Sequence, residues 1–265
     1  MSDLIRLETR HGPMLAFRRD AYVTRSLELY GEFSGREWKL FEQIVEPGQT
    51  VVEIGANIGA HTVPLARRCA PGPLYAFEPQ QRVFQALCAN LALNDIGNVI
   101  ASPDACGAEP GQARIPPLDY GAPFNFGGVS LSPPEAPGVP TRVIALDDLE
   151  LPACHLLKID VEGFEPQVLR GASRTIRRHR PRLYVENDRR ENQQLVIDLI
   201  HALDYRMYWH APPMFDPANF AGNPENVFGD IVSANLFAVP AELEDTVNAA
   251  TPIDPANWRS PIRFG

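Results

Sequence analysis

The sequence predicts an α/β domain built on a mostly parallel sheet, and three observations support this prediction. Short apolar runs typical of buried strands alternate, from Thr50 onward, with segments that have the apolar spacing of helices. A glycine-punctuated turn joins the first such strand to the first helix. The 265 residues are 45% hydrophobic and 22% charged, which is ordinary for a globular chain of this size.

The predicted elements fall into two groups, in which each strand is a short apolar run and each helix repeats apolar residues three and four positions apart. The first group comprises strand 50–54, helix 60–69, strand 74–77, helix 81–93 and strand 99–102. The second comprises strand 155–160, helix 166–178, strand 182–186, helix 192–203 and two late strands near 206–210 and 231–239. A β-α-β-α-β order requires parallel strands joined by right-handed crossovers.

Irregular segments divide the chain. We predict an N-terminal extension (1–46) that covers the ligand site, a main domain (47–240) and a polar C-terminal tail (241–265). Within the main domain, residues 108–140 are rich in proline and glycine and predict a long loop or small hairpin insertion. Residues 211–230 predict a lid-like loop, because long irregular segments on such a scaffold are often functional.

Composition excludes several classes of protein. The net charge of −9 disfavours a nucleic-acid partner, and the basic run at 174–182 is expected to complement a helix end. No apolar stretch is long enough to span a membrane, and charges interrupt the first residues, so we expect a cytoplasmic protein without a membrane partner. The four cysteines lack zinc-ligand spacing and predict buried free thiols.

The turn lies within TVVEIGANIGAHTVPLARR, residues 50–68, and fits either a dinucleotide or S-adenosylmethionine. Asn57 and Ala60 replace the second and third glycines of the dinucleotide fingerprint, and the asparagine would crowd a pyrophosphate. Glu53 before the turn suits an ammonium group. Glu78 ends the next strand, where a carboxylate accepts both hydrogen bonds of a ribose diol.

The segments VVEIGANIGAHT, YAFEP, NFGGVSL and LKIDVEGFEPQVLRGA together resemble the FkbM family of S-adenosylmethionine-dependent methyltransferases, over about residues 30–239. The resemblance implies a Rossmann-like class I fold, with helices on both faces of a seven-stranded sheet and an antiparallel last strand. It also implies donor binding at the carboxyl ends of the central strands. His61 stands where relatives often carry an aromatic residue.

Thirteen residues are predicted to bind the donor, either from the turn and strand-end patterns or from the resemblance. They are Tyr30, Glu32, Glu53, Gly55, Asn57, Gly59, His61, Thr62, Glu78, Asp104, Ala105, Asp160 and Glu162.

Carboxylates are expected to converge beyond two neighbouring strands. Asp160 and Glu162 lie on one face of LLKIDVEG, and Glu186 ends the next strand in RLYVEND. Methyl transfer to oxygen requires removal of a hydroxyl proton, and a carboxylate with a raised pKa can accept it. Asp160 is the first candidate base, Glu186 the second and His210 the third. Alternatively, Asp160, Glu186 and Asn187 bind a divalent cation such as Mg²⁺.

Two irregular segments are expected to bind the acceptor. Asn125 and Phe126 lie in the insertion, and Asn223 and Glu225 lie in the lid-like loop. Amides, carboxylates and aromatic rings suit a polyhydroxylated small molecule. The sequence therefore predicts O-methylation of a sugar or glycosylated natural product, with S-adenosylhomocysteine as the second product. An N-methyltransferase, a nicotinamide-dependent oxidoreductase and a non-catalytic donor-binding module are the alternatives.

Overall fold

The computed structural model describes residues 3–243 and 252–262, so part of the predicted tail (244–251 and 263–265) and residues 1–2 lie outside the described residues. The first elements, in chain order, are β1 (Leu4–Thr9), β2 (Gly12–Phe17), α1 (Val23–Tyr30), α2 (Gly35–Ile44), β3 (Val51–Ile54), α3 (Thr62–Cys69), β4 (Leu74–Phe77), α4 (Gln81–Leu93) and β5 (Val99–Ser102). The remaining elements are β6 (Ala105–Cys106), β7 (Gly111–Ile115), β8 (Val139–Ile144), α5 (Glu165–Gly171), α6 (Ser173–His179) and α7 (Gln193–His201), with β9 (Leu156–Ile159), β10 (Arg182–Glu186), β11 (Tyr205–His210) and β12 (Asn235–Pro240).

The central sheet has seven strands in the order β5-β4-β3-β9-β10-β12-β11. Strands β3, β4, β5, β9 and β10 are parallel, whereas β12 runs antiparallel to both β10 and β11. This arrangement confirms the predicted Rossmann-like fold class. Ile54 pairs with Phe77 on one side and Ile159 on the other, so the residues that follow these three strands meet at one edge of the sheet.

Successive residues of the central strands face opposite sides of the sheet, and each side is covered by helices. Val52 and Leu157 pack with residues of α5, α6 and α7. Val51 and Leu156 pack with residues of α2, α3 and α4. Period-2 alternation therefore directs Glu53 and Lys158 toward the side that α2 and α3 cover.

The N-terminal segment and the insertion lie on the main domain and contact each other. Asn90 of α4 anchors the β1–β2 hairpin, since its side chain accepts from the Leu15 N–H at 2.6 Å and donates to the Leu15 carbonyl at 2.9 Å. In the insertion, β7 and β8 form an antiparallel hairpin that joins β6 in a three-stranded sheet. The Phe124 N–H donates to the Arg19 carbonyl at 3.1 Å and fixes the insertion to the segment after β2.

Two predicted elements differ from the structure. The predicted helix 166–178 is two helices that meet at Ala172, and at the start of the second one Asp147 accepts from the Arg174 and Thr175 N–H groups at 2.9 and 2.7 Å. The predicted strand 231–239 begins only at Asn235. Before it, Val232 forms one isolated bridge with Pro213, and residues 231–234 line a cavity instead.

The basic run at 174–182 pairs with nearby acids on the surface. Arg174 contacts Asp147 and Asp148, and Arg180 bonds Glu242 at 2.7 Å. Of the cysteines, three are buried as predicted, whereas Cys88 is exposed. Among the described residues, no helix has the length and apolar character needed to cross a membrane.

Candidate active site

The glycine turn after β3 is shaped by direct contact with the chain after β9. Gly55 has a φ of 87°, and a Cβ on this residue would lie 1.7 Å from the carbonyl oxygen of Asp160. The Asp160 N–H also donates to the Ile54 carbonyl at 3.0 Å. Only glycine fits this position, because it accepts both the left-handed conformation and the close backbone approach.

Asn57 occupies the left-handed region at φ 51°, which asparagine tolerates better than most residues. Its N–H donates to one oxygen of Glu78 at 2.9 Å, and the Gln80 N–H donates to the other oxygen at 2.9 Å. Glu78 is buried, and burial raises its pKa to about 7. The turn and the end of β4 are thus joined through this carboxyl group.

A cavity of about 350 Å³ opens at this edge of the sheet. Its walls come from the strand ends, the N-terminal segment, the insertion and residues 231–234. Seven carboxyl groups line it, from Glu37, Glu53, Glu78, Asp160, Glu162, Glu186 and Asp188. A narrower slot, bounded by Asp104 and Ala105, shares Gly55, Glu78, Gly127, Asp160 and Glu162 with the cavity. The two spaces therefore adjoin each other at Asp160.

Lys158 is the buried cation of the cavity wall, with 2% of its side chain exposed. Its Nζ lies 3.2 Å from a carboxylate oxygen of Asp160 and 3.6 Å from one of Glu53. These acids and Glu37 raise the pKa of Lys158 although burial opposes them, so the amine stays charged. Thr62 donates its hydroxyl to Glu53 at 2.7 Å, which fixes the other oxygen of this buried acid.

The carboxylates of Asp160, Glu162 and Glu186 form a close group, whose nearest oxygens all lie within 4.8 Å of one another. Arg189 hydrogen-bonds Glu162 and approaches Asp188 at 3.5 Å. Burial and the neighbouring acids, Asp160 first, raise the pKa values of Glu162 and Glu186. Glu165 stabilises the turn that presents Glu162, because one of its oxygens accepts from the Val161 and Gly163 N–H groups at 3.1 and 3.0 Å.

Three polar side chains, at or near the cavity, are relevant to which ligand the cavity can bind. The Oε2 of Glu186 is buried and has no hydrogen-bond partner among the described residues. The predicted third metal ligand, Asn187, does not line the cavity: its side-chain amide donates to the Gln193 carbonyl at 3.3 Å, and its backbone carbonyl accepts from the Gln193 side chain at 2.7 Å. His61 lines the cavity at 6% exposure, and its Nε2 also lacks a partner among the described residues. Burial and the charge of Lys158 lower the pKa of His61 well below its usual range, so the ring is neutral.

Comparison with known families identifies the chain. A family model described as the methyltransferase FkbM domain matches residues 53–207, more than half of the chain. The chain belongs to this family. It is also similar to the tRNA(Phe) (4-demethylwyosine(37)-C(7)) aminocarboxypropyltransferase of Methanocaldococcus jannaschii, with 38% identity over 64 residues that make up 24% of this chain and 26% of that protein.

Two solved structures are similar in architecture to this FkbM-family chain. The methyltransferase FkbM of Methylobacillus flagellatus KT has 17% identity and a TM-score of 0.48, with 82% of this chain and 55% of that chain covered. Trm5b of Pyrococcus abyssi has 9% identity and a TM-score of 0.50, with 89% and 56% covered. This chain therefore spans about half the length of these two proteins and about a quarter of the curated relative.

Nine of the predicted donor positions border the cavity or the slot. They are Glu53, Gly55, Asn57, His61, Glu78, Asp104, Ala105, Asp160 and Glu162. Asp104 already binds Arg142 through both oxygens, at 2.8 and 2.6 Å, so an adenine amine there would share an occupied carboxylate. Of the predicted acceptor residues, Asn125 lines the cavity.

The other predicted donor residues do not line the cavity of this FkbM-family protein. Tyr30 is buried, and its hydroxyl donates to the Glu225 carbonyl at 2.9 Å. Glu32 is paired with Arg10 at 3.1 Å. Gly59 packs on Leu87. Thr62 donates its hydroxyl to Glu53, which does line the cavity.

Three predicted acceptor residues and the third candidate base also lie outside the cavity wall. Phe126 is buried in an aromatic group with Phe17 and Tyr120. Asn223 donates to the Leu29 carbonyl at 3.2 Å, and the exposed Glu225 contacts Tyr30 only through its backbone, as described above. His210 lies at the end of β11 with its Nδ1 2.8 Å from the Tyr184 hydroxyl, outside the cavity wall, and burial lowers its pKa to about 4.

Sequence reasoning missed two charged groups of the cavity. Glu37 is 4% exposed and accepts from Asn235 at 3.3 Å. The signal for it was its position four residues before Phe41, a spacing that places both side chains on one face of a helix. Arg189 directly follows Asp188, just after the end of β10. The signal for it was its position beside carboxylates that a cation can pair with.

Proposed function

We propose that this FkbM-family protein transfers a methyl group from S-adenosylmethionine to a hydroxyl of a polyhydroxylated small molecule, a sugar or a glycosylated natural product. The observation that carries the proposal is the position of Asp160. It borders both the narrow slot and the polar cavity, and 39% of its side chain is exposed. One carboxylate thus faces the space suited to a donor and the space suited to an acceptor.

The residues of the slot and cavity fit the donor's functional groups. An ionised carboxylate has about four lone-pair positions. Backbone N–H groups use two on Glu78, so a ribose diol can use the other two. The partnerless Nε2 of buried His61 needs a ligand atom in the cavity. Bound there, S-adenosylmethionine supplies a methyl group on a positively charged sulfur, which keeps the electron pair of the broken carbon–sulfur bond in S-adenosylhomocysteine.

Asp160 is the group that removes the proton of the acceptor hydroxyl. It is the most exposed of the three clustered carboxylates, and Lys158 fixes one of its oxygens at 3.2 Å. The other oxygen is left for the hydroxyl, whose proton passes to it as the new carbon–oxygen bond forms. General base catalysis of this kind contributes about 10²–10⁴ to the rate. Glu186 is the second candidate for this role.

The acidic cavity also favours this proposal over a nicotinamide-dependent oxidoreductase. Among the described residues of the wall, the two cations, Lys158 and Arg189, are already paired with carboxylates, so neither is left to bind a pyrophosphate. Asn57 further crowds the turn at the position where a dinucleotide-binding fold needs glycine.

Calorimetric titration with S-adenosylhomocysteine tests donor binding, with and without EDTA and with added Mg²⁺. We expect micromolar affinity that EDTA leaves unchanged. Turnover is then measured on hydroxylated acceptors with Asp160→Asn and, as a matched control, the exposed Asp95→Asn. We expect Asp160→Asn to lower kcat by about 10²–10⁴ while the control retains activity. A folded protein that binds no S-adenosylhomocysteine, or an Asp160→Asn variant with full kcat, would refute the assignment.

A further inference from the structure

The charges around the cavity are unequal, and the existing ion pairs account for only part of the excess. Lys158 contacts Glu53 and Asp160, and Arg189 contacts Glu162 and Asp188. Both cations of the wall are thereby engaged. Glu186, at the end of β10, takes part in none of these ion pairs.

Glu186 is placed to receive a cation from the cavity. It lines the cavity, and its Oε2 is buried with no hydrogen-bond partner among the described residues. A second partnerless group, the Nε2 of His61, is nine-tenths buried in the same cavity wall. Buried polar atoms of proteins nearly always have partners, so both atoms indicate that a polar ligand completes the cavity.

We propose that the acceptor carries a protonated amine, which binds Glu186 while a neighbouring hydroxyl faces Asp160. This inference rests on the proposed function and narrows its acceptor to aminated polyols such as amino sugars. The donor is assigned to other groups of the wall, since the free lone pairs of Glu78 suit its ribose, and Glu186 is left for the acceptor.

The bound ammonium is an anchor and not the methylated atom. A protonated amine has no lone pair with which to attack carbon, so the new bond forms to the hydroxyl oxygen. The proton of that hydroxyl goes to Asp160, and the methyl carbon leaves sulfur, which keeps the electron pair. The products are the O-methylated amine and S-adenosylhomocysteine.

A divalent cation is the competing occupant, since Asp160, Glu162 and Glu186 offer oxygens within 4.8 Å of one another. Two of these three carboxylates are already bound, Asp160 by Lys158 and Glu162 by Arg189. A metal ion would have to displace or lie against both cations. An ammonium needs only one unused carboxylate oxygen, and Glu186 provides it.

The test compares matched acceptors that differ in one group: a panel of amino sugars, the same sugars with the amine acetylated, and the same sugars with hydroxyl in place of the amine. Binding to the protein saturated with S-adenosylhomocysteine is measured by calorimetry, and kcat/KM is measured with S-adenosylmethionine. We expect the amines to bind and react at least about tenfold better than both neutral series, which corresponds to about 1.4 kcal/mol.

The variants Glu186→Gln and Glu135→Gln separate charge recognition from other roles of Glu186, because Glu135 is exposed and lines neither the cavity nor the slot. We expect Glu186→Gln to abolish the preference for amines, seen mainly in KM, and Glu135→Gln to retain it. Loss of a catalytic base would instead lower kcat for all three series equally.

Three results would overturn the inference. Neutral sugars that react as well as their amines would disprove it and leave the proposed function standing. Amines that fail to bind the donor-saturated protein would also disprove it. Mg²⁺ binding that is lost in Glu186→Gln would assign the carboxylates to a metal. If S-adenosylhomocysteine itself does not bind, the proposed function fails instead.

Discussion

Lowering the pH from about 8 to about 6 should weaken the binding of S-adenosylhomocysteine about tenfold, through Glu78. Burial raises the pKa of this acid to about 7. Two of the lone-pair positions of Glu78 accept from the Asn57 and Gln80 N–H groups, so two remain for the hydroxyls of a ribose diol. A proton on Glu78 occupies one of these two positions. Binding therefore favours the ionised form, lowers the pKa of Glu78, and is lost as the pH falls through about 7.

The magnitude follows from the ionised fraction of Glu78. With a pKa of about 7, roughly ten of eleven molecules are ionised at pH 8 and one of eleven at pH 6. The ratio of ten corresponds to about 1.4 kcal/mol. Calorimetry across this range, in buffers of different ionisation enthalpy, measures both Kd and the proton released on binding. Burial also raises the pKa of Glu165, the first residue of α5, to about 7, so Glu165 titrates in the same pH range as Glu78. The variant Glu78→Gln distinguishes the two acids. A Kd that stays constant from pH 8 to pH 6 in the unmodified protein, or a pH slope that persists in Glu78→Gln, would refute the reasoning.

Three further substitutions test the stability of the site. Gly55→Ala should lower the free energy of unfolding, measured in urea, by about 1–3 kcal/mol beyond the cost of its positive φ, because the new Cβ would meet the Asp160 carbonyl. Lys158→Met should cost about 3–5 kcal/mol, since it leaves buried carboxylates without their cation, and should weaken donor binding. Tyr30→Phe removes a hydrogen bond to the lid-like loop 211–230 and should speed amide hydrogen exchange there at a cost of about 1 kcal/mol.

Each substitution has a matched control in the chain. Gly48→Ala shares the positive φ, at 86°, but no atom lies within 4 Å of its Cβ position, so it isolates the backbone cost. Lys39→Met removes a lysine that is 47% exposed, and Tyr75→Phe removes a hydroxyl outside the loop contacts. Equal losses in a test variant and its control would contradict the contact assigned to that residue.

The sequence was sufficient for elements whose boundaries depend on local patterns. The bounds of β4, α4, β5 and β10 match the prediction, because each apolar run ends at polar or turn residues. The break between α5 and α6 has no comparable local signal. Where α6 begins, Asp147 accepts from the Arg174 and Thr175 N–H groups, a contact between segments far apart in sequence.

The site was predictable where strand ends determine position. Asp160 and Glu186 end neighbouring parallel strands, so their proximity follows from strand pairing alone. The direction of a side chain on an irregular segment does not follow from such rules. Asn125 lies in the cavity wall while the adjacent Phe126 is buried in an aromatic group, and neither orientation can be read from the residues themselves.

Most charged groups of the cavity wall and most of the groups that determine its shape come from different parts of the chain. The buried lysine and every acid of the wall except Glu37 come from the strands of the sheet or from the residues that follow them. The N-terminal segment, the insertion and residues 231–234 contribute groups such as Tyr22, Phe33, Asn125 and Val232. Exchange of these three segments with those of other FkbM-family proteins is therefore a direct route to new acceptors, because the contour of the cavity can change while its reactive edge is retained.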